Sequence, residues 1–135
     1  THMLKENVKY LDFDGVEQIE TLYFNINRME LIAMQARYGK EDMAKYIERI
    51  TKEEDFGKIH DLLNDIILTA YGKKSEDGKR FLKSEEIKEE FRTSLAYEAL
   101  TESFFDDDGV TLGKFVQGIT STIRGLESAA APAAQ

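Results

Sequence analysis

The chain has no cysteine, no tryptophan and one proline in 135 residues. Without cysteine there is no disulfide framework and no thiolate metal site, which suits a reducing compartment. No apolar run approaches the length of a membrane-spanning helix. The opening residues go straight into a charged, strand-like pattern, so no leader segment is expected. Thr1-His2-Met3 reads as a cloning scar before a natural start at Met3, and His2 is given no role. His60 is then the one native histidine, so a zinc site lacks its second imidazole. There is no GxSxG elbow, no Walker A sequence and no GxGxxG, so neither a nucleophilic triad nor a phosphate cradle is in view.

Charge is not scarce, but it is one-sided. Twenty-six acids outweigh eighteen Lys and Arg, for a net charge of −8. That field repels phosphate backbones, so no nucleic-acid partner is expected. The densest cations are Lys73, Lys74, Lys79, Arg80 and Lys83, interrupted by Glu76 and Asp77. Lys73 and Lys74 follow a helix end, where positive charge complements the macrodipole. Asp12, Asp14 and Gly15 lack the alternating oxygens of a calcium loop and read as a turn. Asp106, Asp107 and Asp108 are consecutive and cannot all face one ion in regular structure. No cofactor and no metal are expected.

The hydrophobic fraction of 41% is enough for a core. Val8 to Ile26 reads as a β-hairpin around Asp14-Gly15, a two-residue turn signal. That turn pairs Tyr10 with Ile19 and Lys9 with Glu20, but sets Asp12 against Glu17, so a slightly longer loop is an alternative. Leu22, Phe24 and Ile26 alternate onto one face. Asn27 with Glu30 forms a capping box for a first helix that stops at Gly39. Its residues are apolar nearly all round, which predicts a central helix. A second helix spans about Glu41 to Ile50. A third, capped by Thr51 and Glu54, carries Phe56, Ile59, Leu62, Leu63, Ile66, Ile67 and Ala70 at helical spacing and closes at Gly72.

Lys73 to Leu82 reads as a polar loop ending in a short extended piece. Ser84 caps a fourth helix with Ile87, Phe91, Leu95 and Ala99 on its buried stripe and a kink at Thr93-Ser94. Asp106 to Gly109 breaks it, and Thr111 caps a last helix weakened by Gly113 and Gly118. Residues 125–135 read as a disordered tail. The fold class is therefore α+β, mainly α: an N-terminal hairpin packed on a bundle of about five helices, one domain over residues 4–124.

Phe104 and Phe105 point about 100° apart on a helix, so both cannot share one stripe. Either one is presented to a partner or the final helix folds back over both. A groove rimmed by Tyr97, Phe104, Phe105 and Phe115 is one candidate binding surface. The hairpin edge, open to self-association or strand addition, is another.

One block is specific as an order of residues. Tyr71-Gly72-Lys73-Lys74-Ser75, then Asp77-Gly78-Lys79-Arg80-Phe81 and Lys83-Ser84, resembles the tail assembly chaperones of long-tailed phages of Gram-positive bacteria. Tyr10 to Gly15 with Leu22 to Asn25 resembles that family's opening hairpin, and Arg28-Met29-Glu30-Leu31 its first helix start. Phe115-Val116-Gln117-Gly118-Ile119 resembles its usual ending. Ser94-Leu95, Asp106 to Gly109 and Thr120 to Gln135 depart from the pattern.

The resemblance implies a non-catalytic protein of the host cytoplasm, absent from the finished virion. It implies that such a protein coats the tape measure protein, keeps it soluble and helps recruit the major tail tube protein. Lys79, Arg80 and Phe81, beside the four aromatics above, are read as partner-binding residues; the competing explanation is that the block recurs because Gly72, Gly78 and Ser84 fix a structural turn. Many relatives come in a short and a frameshifted longer form, and this chain would be the short one. The rival function is an acidic inhibitor or decoy for a basic host or phage partner, which the −8 charge also suits.

Overall fold

A computed structural model describes residues 3–39, 42–106 and 110–130, without the side chains of Phe105 and of residues 128–130. The elements are β1 (Leu4–Leu11), β2 (Glu17–Phe24), α1 (Arg28–Arg37), α2 (Met43–Lys52), α3 (Phe56–Ala70), β3 (Tyr71–Lys74), β4 (Phe81–Leu82), α4 (Glu85–Arg92), α5 (Leu95–Asp106) and α6 (Val110–Ala130). The class is α+β, mainly α, as expected. The chain divides into two compact units: Thr1–Asn25 with Ala70–Phe115, and Ile26–Thr69 with Val116–Gln135.

In the first unit the hairpin is half of a four-stranded antiparallel sheet, in the order β1-β2-β3-β4. Tyr23 pairs with Gly72 and Phe24 with Tyr71. Tyr71 to Lys74 is thus a strand, where the sequence suggested a helix end and a polar loop. The arrangement needs a glycine at 72: a Cβ there would lie 2.5 Å from Cε2 of Phe81 and 2.8 Å from the carbonyl oxygen of Leu82.

The hairpin register differs by one residue from the two-residue-turn expectation. Tyr10 lies opposite Gln18 and Lys9 opposite Ile19. The cause is side-chain direction. In this register partners share a face, so Val8, Leu22 and Phe24 are all buried together. The expected register would have turned Val8 away from the other two. The loop lengthens to suit. Asp12 accepts from the backbone N–H groups of Asp14 and Val16 and from Gln18 Nε2, each at 2.9 Å. Those bonds hold its carboxyl below the usual range, the Val16 N–H contributing most. Gly15 takes φ 78°, which favours glycine.

The inner face of the sheet meets an aromatic cluster. Phe24 stands edge-on to Tyr71, Phe91 and Phe115, at centroid distances of 6.0, 6.2 and 5.8 Å. Tyr71 and Phe91 stack at 3.8 Å. α5 packs on β1, and α4 against β3. The fourth and fifth helices were expected as one. Ser94 separates them: its hydroxyl donates to the Phe91 carbonyl and accepts from the Tyr97 N–H. The break resets the helical phase, so the buried stripe of α5 is Ala96, Leu100 and Phe104 rather than Leu95 and Ala99. Ser84 caps α4 as expected, accepting from the Ile87 N–H at 3.1 Å.

In the second unit the Asn27–Glu30 capping box is present in both directions, and Gly39 has φ 93°. α1 is not central: only Leu31 and Met34 are buried, while Met29 and Ile32 are exposed. Asp55, not Thr51, caps α3, accepting from the Lys58 N–H, because α2 runs on to Lys52. Leu62, Ile66 and Ile67 of α3 are buried, as its spacing predicts, but Phe56 is exposed. Arg37 and Tyr38 both bond Asp65 across the unit. The expected α2 start at Glu41 and the break at Asp107 to Gly109 lie outside the described residues. α6 continues to Ala130, so helix takes in the first part of the segment read as tail; residues 131–135 are outside the description.

Two glycines make opposite predictions. Gly72→Ala should lower stability by about 1–3 kcal/mol, as overpacking against Phe81 and the β4 backbone requires. Gly113→Ala, with open space at its Cβ, should raise it by roughly 0.5–1 kcal/mol. Thermal or urea unfolding checks both. A third prediction concerns Glu6, half-buried on the inner face, where burial raises its carboxyl pKa. The cost of ionising it is absent below the unfolded pKa and sets in as pH rises through the folded one. Glu6→Gln should therefore raise the unfolding temperature near pH 7 and leave it unchanged near about pH 3.

Candidate functional site

The β3–β4 turn contains Lys79 and Arg80. Its shape is set by Ser75 and Asp77. The Ser75 N–H donates to the Arg80 carbonyl at 2.9 Å, and Ser75 Oγ accepts from the Arg80 N–H at 3.0 Å. Ser75 Oγ also donates to Asp77 Oδ1 at 2.6 Å, which in turn accepts from the Lys79 N–H at 3.0 Å. These bonds hold the Asp77 carboxyl below its usual range, the Ser75 hydroxyl first. Gly78 adopts φ 72°. The block of residues that made the sequence specific is thus a self-buttressed turn. Lys79 and Arg80 project from it exposed, and among the described residues neither has an ion-pair partner. Phe81 is half-buried against Gly72, with the Lys83 ammonium 5.7 Å from its ring.

The aromatic rim is mostly interior. Phe104 and Phe115 are buried, with ring centroids 5.2 Å apart. They fill the core of the first unit and do not line an accessible groove, a correction to the expectation. Phe115 is drawn inward because it meets Phe24 edge-on. Tyr97 is half-buried and stands at 90° to Phe91, 5.3 Å away. The side chain of Phe105 lies outside the described ones.

The surface that the sequence did not single out is the tip of the hairpin. Phe13 is 92% exposed, Ile19 70%, Leu11 64% and Val16 54%. Leu11 and Ile19 share the outer face of β1 and β2, while Phe13 and Val16 sit in the turn. Further from the tip the same face is polar: Thr21 donates to Asn7 at 2.7 Å, and Lys74 lies 4.4 Å over the Tyr23 ring. Apolar groups are therefore gathered at one end. The signal available in the sequence was the alternation itself. Ile19 and Leu22 are three residues apart on one strand, so they face opposite sides of the sheet in any register.

Hydrogen bonds and an ion pair brace the hairpin beside these side chains. Besides the Asp12 bonds, Tyr10 donates its hydroxyl to Glu20, which pushes the phenol up to about 12. Lys9 pairs with Glu17 at 3.5 Å. Large apolar groups exposed together at one end of a face mark a contact surface.

His60 is exposed, with Nδ1 3.3 Å from Asp61 on the same helix. Among the described residues, no three His, Asp or Glu side chains gather into a metal-holding group. No helix among them is long and apolar enough to cross a membrane.

A family model described as phage tail assembly chaperone matches residues 3–121. The chain belongs to that family. No curated protein and no solved structure matches it.

Because the tip side chains bury little, removing them should cost the fold little. Phe13→Ser with Val16→Ser should change unfolding free energy by no more than about 0.5 kcal/mol, the usual range for surface positions. A larger loss in urea unfolding would show that these groups are structural.

Proposed function

We propose that this protein is a non-catalytic chaperone that binds the tape measure protein of a long-tailed phage or prophage of a Gram-positive host. In this reading it keeps that protein soluble and helps recruit the major tail tube protein. Membership of the tail assembly chaperone family supports a role in tail assembly. The observation that carries the finer reading is the cluster of Leu11, Phe13, Val16 and Ile19, exposed at the hairpin tip.

A long helical protein made before its tube exists presents apolar stripes to water. Such stripes dock on an apolar surface that excludes water from them, as amphipathic helices do on apolar grooves. A patch of four side chains offers modest area, so each contact is weak and reversible. The net charge of −8 keeps the loaded complex dispersed. Tube subunits then displace the chaperone by competing for the same stripes, without nucleotide hydrolysis. The exposed cations of the β3–β4 turn, Lys79 and Arg80, are a second contact in this scheme, and a further copy of the chain is the other partner open to the tip.

Co-expression with the tape measure protein of the same phage tests the proposal. The large protein should become soluble and co-elute with the chain. Phe13→Asp with Ile19→Asp should abolish co-elution, and Lys79→Glu with Arg80→Glu should weaken it, in both cases with an unchanged unfolding temperature. An insoluble tape measure protein beside a soluble, folded chain would contradict the proposal. Undiminished co-elution of the tip variant would remove the tip from it.

A further inference from the structure

β1 ends the sheet, and among the described residues no strand pairs with its outer edge. The phase of its hydrogen bonding follows from the loop. The Asp12 N–H donates to the Val16 carbonyl at 2.9 Å, so the pairs at even positions of β1 exchange bonds with β2. The same alternation continues across the sheet, where the Asn25 N–H donates to the Ala70 carbonyl at 2.8 Å. The N–H and C=O groups of Lys5, Asn7, Lys9 and Leu11 therefore point to the free edge. Among the described residues they have no partner. The strand is eight residues long and contains no proline, the kind of edge that accepts another strand.

Beside that edge lies an open groove of about 580 Å³, lined by β1 and α5. Its charge is one-sided. Glu6, Glu98, Glu102 and Asp106 line it, against Lys9, whose ammonium is already 3.5 Å from Glu17. None of the four carboxylates has an ion-pair partner among the described residues. Glu98, Glu102 and Asp106 follow one another at intervals of four on α5, so they form a row with a rise of about 6 Å per step. Alternate residues of an extended strand are about 6.7 Å apart and face the same way. The two repeats nearly match.

We propose that the free edge of β1 and the groove along α5 take an extended segment of a partner protein that carries lysine or arginine at alternate positions. Its backbone would add a strand to the sheet, and its cations would meet the acid row. A second copy of this chain does not fit. The side chains β1 would turn into the groove are Leu4, Glu6, Val8 and Tyr10, none of them basic, and pairing two edges would bring acid against acid. The half-buried carboxyl of Glu6, raised by burial and without an ion-pair partner among the described residues, is the group a bound lysine would relieve most. The proposal does not depend on the tape measure protein being that partner, so the two readings fail separately.

The test uses the full chain and a capped peptide of alternating Lys and Thr, as long as β1. Amide hydrogen exchange read by NMR should slow at Lys5, Asn7, Lys9 and Leu11 when the peptide is added. An alternating Glu and Thr peptide should do nothing. The Lys and Thr peptide N-methylated at alternate amides, so that its pairing edge is blocked, should bind far more weakly. Glu98→Gln with Glu102→Gln, both exposed helix positions, should weaken the parent peptide roughly threefold or more, as two exposed ion pairs would. Unchanged exchange at the four amides under saturating peptide overturns the proposal. Equal binding of the methylated peptide also overturns it, since attraction would then be charge alone. Protection of those amides in the free chain that grows with its concentration would assign the edge to a second copy instead.

Discussion

The ring of Phe24 is the constraint from which the first unit follows. It stands edge-on to Tyr71 of β3, Phe91 of α4 and Phe115 of α6. Each contact has the geometry that an aromatic quadrupole favours. Because side chains alternate along a strand, burying Phe24 also buries Leu22 and, across the ladder, Val8. The same alternation sends Leu11 and Ile19 to the opposite face. No register satisfies both sets. The exposed apolar tip is thus the other side of the choice that builds the core.

That dependence explains what could be read from the sequence. Signals confined to a few residues were legible: the Asn27–Glu30 box, the Ser84 cap, the Gly39 stop and the apolar stripe of α3. Signals that depend on remote partners were not. Tyr71 to Lys74 becomes a strand only because β2 lies beside it, and nothing in those four residues announces a ladder. Spacing also could not separate interior aromatics from a rim. Phe104 reads the same either way until the break at Ser94 sets the phase of α5. The hairpin register turned on burying Val8 with Leu22 and Phe24, and the three hydrogen bonds of Asp12 hold the longer loop that this register needs.

The most specific block of sequence has an architectural role. Ser75, Asp77 and Gly78 shape the β3–β4 turn, Gly72 admits Phe81, and Ser84 starts α4. A pattern of this kind identifies the fold of a family without naming its contact residues. Lys79 and Arg80 are exposed members of the block that have no ion-pair partner among the described residues. By contrast, the hairpin concentrates unsatisfied surface: apolar side chains at its tip and unpaired backbone along β1. Leu11 belongs to both, so one short strand joins an apolar contact to a strand-pairing edge beside an acidic groove. For an assembly chaperone, such a mixture favours weak, multiple and replaceable contacts over one deep pocket.

The central claim is that this hairpin is the element that meets the partner. Hydrogen–deuterium exchange of the chain alone and in complex with the tape measure protein addresses it most directly. The account predicts new protection confined mainly to β1, the Asp12–Val16 loop and the start of β2. Protection confined to α2 and α3, with the hairpin exchanging as in the free chain, would contradict it.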